Sequence, residues 1–188
     1  MDNGRSTSKL NIPNLLTLVR IVCVPVLVIC LMEGRFGEAF IVFVVGGVSD
    51  ALDGLLARTL HQKTLIGAIL DPIADKLLLD STFVVLAAIN TIPRWLAVVV
   101  ISRDVIIVAG VLILFLIRGS VRIKPTISSK LTTLIQLGTA FTVLLSLETA
   151  WFRDLLPILY AATGTITALS GAQYLTIGFR LLNSNTES

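Results

Sequence analysis

Inside two apolar stretches of the chain, away from their ends, stand Asp50, Asp53, Asp71, Asp75, Lys76 and Asp80. Each such charge costs about 2.5–3.5 kcal/mol at the centre of a membrane helix, so a cluster of carboxylates needs a compensating partner. Asp50, Asp53 and Ala57 recur at i, i+3 and i+7, with Gly54 beside them, which puts them on one face of a helix. Asp71 and Asp75 are spaced i, i+4 and share a face of the next helix. Carboxylates held this close raise one another's pKa. Hard divalent cations, Mg²⁺ or Mn²⁺, are the natural remedy, bound through carboxylates together with substrate phosphates. Two such ions about 4 Å apart would clamp a phosphoryl group for in-line displacement. No cluster of Cys or His competes as a softer metal site, and the sole histidine, His61, reads as a solvated loop residue.

The elements that must position these groups are helices. Six apolar stretches run over residues 13–32, 37–58, 64–90, 93–117, 125–147 and 152–181. Turn formers separate them: Glu33-Gly34-Arg35, Asn90-Thr91-Ile92-Pro93, Gly119-Ser120 and Glu148-Thr149. The link around Thr59 to Thr64 is short, so the second and third helices are antiparallel neighbours. At 1.5 Å per residue, Asp53 lies about 8 Å from the helix end near Arg58, and Asp71 about 10 Å from the helix start near Thr64. Both carboxylate pairs are therefore expected at similar depth, just inside one membrane boundary. Gly54 leaves a gap where a substrate could approach the backbone. Gly46, Gly47 and Gly67 read as close helix packing, and Arg58 could bind a diphosphate or simply snorkel to the interface. Pro72 removes a backbone hydrogen bond within the third helix. In the last stretch Gly164, Ala168 and Ala172 read as a packing seam.

Composition says which solvent these helices meet. Of 188 residues, 55% are hydrophobic and 14% charged, with a mean hydropathy of +0.91. A soluble domain is usually about a quarter charged. At about 20 residues per span, the length suits one membrane domain over residues 1–188, with a short segment 1–12 before it and a tail 183–188. The first stretch lacks a small-residue cleavage site and reads as a retained helix rather than a signal peptide. Cys23 and Cys30, seven apart, read as apolar packing. Nine basic residues fall in loops on the N-terminal side (Arg5, Lys9, Arg58, Lys63, Arg118, Arg122, Lys124, Lys130 and Arg180), against Arg35, Arg94 and Arg153 on the other. That asymmetry places both termini in the cytoplasm. The compact form suits a bacterial inner membrane, and no nucleic-acid partner is expected.

Read together, residues 50–75 run Asp50-x2-Asp53-Gly54-x2-Ala57-Arg58-x8-Gly67-x3-Asp71-x3-Asp75. This resembles the signature of the CDP-alcohol phosphatidyltransferases at all eight fixed positions. The resemblance implies an all-α integral membrane fold of about six transmembrane helices, homodimeric, with a site open to cytoplasm and lipid. It implies that Asp50, Asp53 and Asp71 ligate metal and hold the diphosphate of CDP-diacylglycerol. Asp75 would complete the metal site and act as general base on the attacking hydroxyl. Asp53, Gly54, Ala57, Arg58 and Gly67 would line the CDP pocket, and CMP would leave.

The acceptor is less sharply marked. Asn11-Ile12-Pro13-Asn14-Leu15-Leu16-Thr17-Leu18-Val19-Arg20 and Asp71-Pro72-Ile73-Ala74-Asp75-Lys76 resemble phosphatidylglycerophosphate synthases, whose acceptor is glycerol 3-phosphate. Ile101-Ser102-Arg103-Asp104 and Lys124-Pro125-Thr126-Ile127-Ser128-Ser129-Lys130 resemble cardiolipin synthases, whose acceptor is phosphatidylglycerol. The first branch is the expectation from sequence, the second its alternative. Lys130, Arg103 and Arg118 are the candidates for the acceptor phosphate. Arg103 has a structural alternative, pairing with Asp80 or Asp104, and Asp80 has no chemical role beyond a salt bridge to Arg103 or Arg20. The loop cations could equally serve as anchors against anionic lipid. Two other classes compete. A membrane prenyltransferase would carry two separate Asp motifs over more helices. An ion or proton transporter would place carboxylates at the midplane, usually with an internal repeat, and none is visible.

Overall fold

Each apolar stretch forms one helix. The computed structural model describes the backbone of residues 12–60, 65–118 and 127–183, and the side chains of 19–49, 76–110, 128–149 and 151–177. The helices are α1 (Ile12–Met32), α2 (Phe36–Leu60), α3 (Leu65–Ala88), α4 (Arg94–Arg118), α5 (Ile127–Glu148) and α6 (Leu156–Asn183). No strand occurs among the described residues.

Two turns are built alike. After α1, the Gly34 amide donates to the Leu31 carbonyl and the Arg35 amide to the Cys30 carbonyl, with Gly34 at φ 73°. After α3, the Asn90 amide donates to Ala87 and the Thr91 amide to Leu86, with Asn90 at φ 58°. Both are Schellman caps, and Gly and Asn are the residues that tolerate the left-handed position. Arg35 at the first turn pairs with Glu33 at 3.2 Å and with Glu38. The hydrogen bonds to Glu38 and then Glu33 push its already high pKa further up.

Pro25 lies within α1, and the helix is continuous across it. The last stretch opens later than its composition suggests. Residues Ala150–Leu155 form a 3₁₀ turn and α6 begins at Leu156. Pro157, having no N–H to donate, suits the first turn of an α-helix, where that donor would have no partner, and α6 starts beside it.

The described residues fall into two packing units, Met1–Leu78 and Leu79–Ser188, divided within α3. In the first, α1 packs on α2. α1 buries Arg20, Cys23, Leu27, Cys30 and Leu31, and α2 buries Ala39, Phe43 and Ser49. In the second, α6 packs on α4 and α5.

Burial does not follow polarity as it does in a soluble core. Ile29, Ile41, Val98, Leu134 and Ile158 are exposed, whereas Thr132, Gln136, Thr139, Thr163, Thr167 and Ser170 are buried. Gln136 donates to Thr167 at 3.1 Å, and the hydroxyls of Thr139 and Thr163 share a 2.7 Å bond. In hydrocarbon, polar side chains face neighbouring helices and apolar ones face lipid. Among the described residues, two helical segments are long and apolar enough to cross a membrane, Ser128–Glu148 and Trp151–Ile177.

The packing seam expected on α6 is corrected. Gly164 is buried, and a Cβ there would collide with the Trp95 ring, but Ala168 and Ala172 are exposed. The buried stripe is Thr163, Thr167 and Ser170 with Gly164 and Gly171. A strict four-residue repeat drifts off the face of a 3.6-residue helix, while alternating steps of four and three stay on it.

Candidate active site

The helical backbone is continuous through all four signature aspartates: Asp50 and Asp53 on α2, Asp71 and Asp75 on α3. Their side chains, and those of Gly54, Ala57, Arg58 and Gly67, lie outside the described residues, as does the link 61–64 with His61.

One described contact fixes the register between the two helices. A Cβ on Gly46 of α2 would lie 2.6 Å from a Leu78 methyl of α3, so the two helices touch at this level. Gly46 continues a buried stripe on α2 through Ala39 and Phe43. Continued in the same alternating steps of four and three, that stripe passes through positions 50 and 53. On α3, the buried positions Leu78, Thr82 and Val85 continue backward in the same steps through positions 75 and 71.

A link of four residues joins the end of α2 to the start of α3, which requires antiparallel neighbours. Position 53 lies seven residues beyond Gly46, and position 71 seven residues before Leu78. Both are therefore about 10 Å from the Gly46–Leu78 contact in the same direction. Positions 50 and 75 lie about 6 Å and 4.5 Å from it. On the backbone, the four positions form two adjoining levels on the two stripes that begin at the contact. Positions 53 and 71 lie about 10 Å from the linked helix ends, and positions 50 and 75 about 15 Å.

The donor set that these positions carry is all carboxylate, the chemistry of a hard cation such as Mg²⁺. Among the described residues no group of three or more His, Cys, Asp or Glu could hold a metal ion.

A second polar centre lies within the other packing unit. Arg103 of α4 is 3% exposed and Asp104 6%. Nη1 of Arg103 donates to the Asp104 carboxylate at 2.5 Å. Its Nη2 donates to the hydroxyls of Ser129 on α5, at 2.6 Å, and Ser170 on α6, at 3.4 Å. The pairing with Asp104, one of the two partners foreseen for Arg103, is thus present. Next to Ser129, the Ser128 hydroxyl donates to Gln173 of α6 at 2.6 Å. Lys130 follows, exposed, in the first turn of α5.

Arg118 ends α4 fifteen residues beyond Arg103, about 22 Å along the helix, so the backbone does not bring it to the turn that carries Lys130. Its side chain and residues 119–126 lie outside the described residues. Ser128, Ser170 and Gln173 were not singled out from sequence. Polar residues in an apolar stretch are the signal that could have found them.

Comparison with known proteins identifies the family. Residues 10–171 match the family model described as CDP-alcohol phosphatidyltransferase. The chain is 36% identical to the CMP-forming cardiolipin synthase of Rattus norvegicus and 35% to that of Homo sapiens, over 87% of its own length. It spans 60% of the length of each. It is also 29% identical to the CDP-diacylglycerol–glycerol-3-phosphate 3-phosphatidyltransferase of Aquifex aeolicus, over 92% of this chain and 98% of that one. With helices running unbroken through all eight signature positions and a family match that reaches from α1 into α6, the chain belongs to the CDP-alcohol phosphatidyltransferase family.

Proposed function

We propose that the protein transfers the phosphatidyl group of CDP-diacylglycerol to the free hydroxyl of phosphatidylglycerol, releasing CMP. The observation that carries the transferase site is the register set by Gly46 and Leu78, which supports bringing four carboxylate positions to adjoining levels of α2 and α3. Asp50, Asp53 and Asp71, with Asp75, would hold divalent metal. When bound, the metal would neutralise charge on the diphosphate and on the departing CMP. Arg58, one turn beyond Gly54, would pair with the diphosphate, and Gly54, Ala57 and Gly67 would leave room for the nucleotide. Asp75 accepts the proton of the attacking hydroxyl as its oxygen bonds to the phosphorus that bears diacylglycerol. The bond from that phosphorus to the bridging diphosphate oxygen breaks, and CMP leaves. General-base assistance of this kind is worth about 10²–10⁴-fold.

Six membrane spans with both termini in the cytoplasm would open this site to the cytoplasmic leaflet. The basic asymmetry of the loops supports that orientation.

Phosphatidylglycerol is placed first because the two stretches resembling cardiolipin synthases meet in space through the Arg103–Ser129 bond. The identities to the rat and human enzymes point the same way. Glycerol 3-phosphate, the first expectation from sequence, is the second reading. The length-matched similarity to the Aquifex enzyme favours it. Both acceptors carry a phosphate, for which Lys130 is the proposed cation.

The test is product analysis with each acceptor. Purified protein, CDP-diacylglycerol and Mg²⁺ should yield cardiolipin with phosphatidylglycerol and no phosphatidylglycerophosphate with glycerol 3-phosphate. The opposite pattern would establish the second reading.

A further inference from the structure

Lys130 has no described contact that would hold its ammonium at one place, yet the turn that carries it is fastened on two sides. Ser128 is bonded to Gln173 of α6, and Ser129 to Arg103 of α4. Successive residues of a helix point about 100° apart. Two adjacent hydroxyls tied to different helices therefore fix both the position of α5 and its rotation about its own axis. That rotation decides where the next residue, Lys130, projects.

The tie to α4 has its own cost. A guanidinium beside the first turn of α5 faces the positive end of the helix dipole, and it is almost fully buried. Asp104 offsets both penalties by accepting from Nη1. Ser170 adds a second acceptor on α6 for the same Nη2 that holds Ser129.

We infer that Arg103, Asp104 and Ser129 form a positioning lock that orients Lys130 toward the phosphate of the acceptor. Arg103 is then a positioning residue rather than a ligand of that phosphate, its two terminal nitrogens being already engaged by Asp104, Ser129 and Ser170. The inference rests on the acceptor-binding role proposed above for Lys130.

Steady-state CMP release tests it, with acceptor and CDP-diacylglycerol varied in turn, for Ser129→Ala, Ser129→Thr, Lys130→Gln and the double variant Ser129→Ala/Lys130→Gln. Loss of a hydrogen bond to a charged group should raise the acceptor KM about tenfold in Ser129→Ala. The kcat and the KM for CDP-diacylglycerol should stay within about twofold of wild type. Ser129→Thr, which keeps the hydroxyl, should restore the acceptor KM. The double variant should be no worse than Lys130→Gln alone, because the lock acts through that lysine. Ser128→Ala, which cuts only the tie to Gln173, should move the acceptor KM in the same direction and serves if Ser129→Ala does not fold.

An unchanged acceptor KM in both serine variants would overturn the inference. So would an equal rise in both substrates' KM, or multiplying effects in the double variant. A wild-type protein inert toward both acceptors would remove the proposed function and this inference together. An active wild type with indifferent serine variants would remove the inference alone.

Discussion

At the scale of single residues, the four aspartates stand out in the sequence because apolar packing gives no reason for them. A carboxylate in an apolar helix is expensive, and four at set spacing leave a signature that composition cannot hide. Gly46 was less legible. Its sequence context, Gly46-Gly47, offers two equivalent candidates for close packing, and only the fold separates them. A Cβ on Gly46 would press on Leu78, whereas one on Gly47 would meet nothing within 4 Å. Gly46→Val should therefore push α2 from α3 one turn from position 50, costing about 1–3 kcal/mol by overpacking. It should also lower CMP release more than stability alone explains. Gly47→Ala should change neither. Thermal unfolding in detergent, read beside activity, checks both variants.

Arg103 shows the opposite limit. Its sequence neighbour Asp104 was a foreseeable partner, but Ser129 and Ser170 lie 26 and 67 residues away. No local pattern gives that distance, so a positioning role could only be read from the folded chain.

At the scale of elements, the helices could be read from the chain because each apolar stretch needs one continuous helix to satisfy its backbone in lipid. The faces were harder. On α6, small residues at four-residue spacing suggested a seam, while the buried stripe is instead marked by Thr163, Thr167 and Ser170. The polar residues were the better guide, since inside a membrane protein they turn away from lipid. The α5–α6 seam gives a direct check. Thr139→Val removes the shared bond with Thr163 and should cost about 0.6 kcal/mol, the average for interhelical bonds in bilayers, and no more than about 1.7 kcal/mol. A double-mutant cycle with Thr163→Val should show that the two losses are not additive. Additive losses would mean the hydroxyls act separately.

At the scale of the whole molecule, each packing unit exposes Ile, Leu and Val side chains, as helices that face lipid do. The family match reaches from α1 into α6. The expected topology makes a concrete demand: tags at the N-terminus and at the C-terminus should both be cut by protease added to inverted membrane vesicles and both be protected in right-side-out vesicles. One tag on each side would mean an odd number of spans.

The acceptor was the least legible feature of the molecule. Two resemblances divide the chain, and the two stretches of the second are brought together only by folding, through the Arg103–Ser129 bond.

In the proposed function, the Asp50–Asp53–Asp71–Asp75 set would hold metal and perform the transfer. The most direct measurement is CMP release from CDP-diacylglycerol with an active acceptor, comparing wild type with Asp71→Asn in the presence of Mg²⁺ and after EDTA. The account predicts that EDTA abolishes release and that added Mg²⁺ or Mn²⁺ restores it. It also predicts that Asp71→Asn, folded and monodisperse in detergent, falls by at least about a hundredfold. Release that survives chelation, or an Asp71→Asn protein with near wild-type activity, would contradict it.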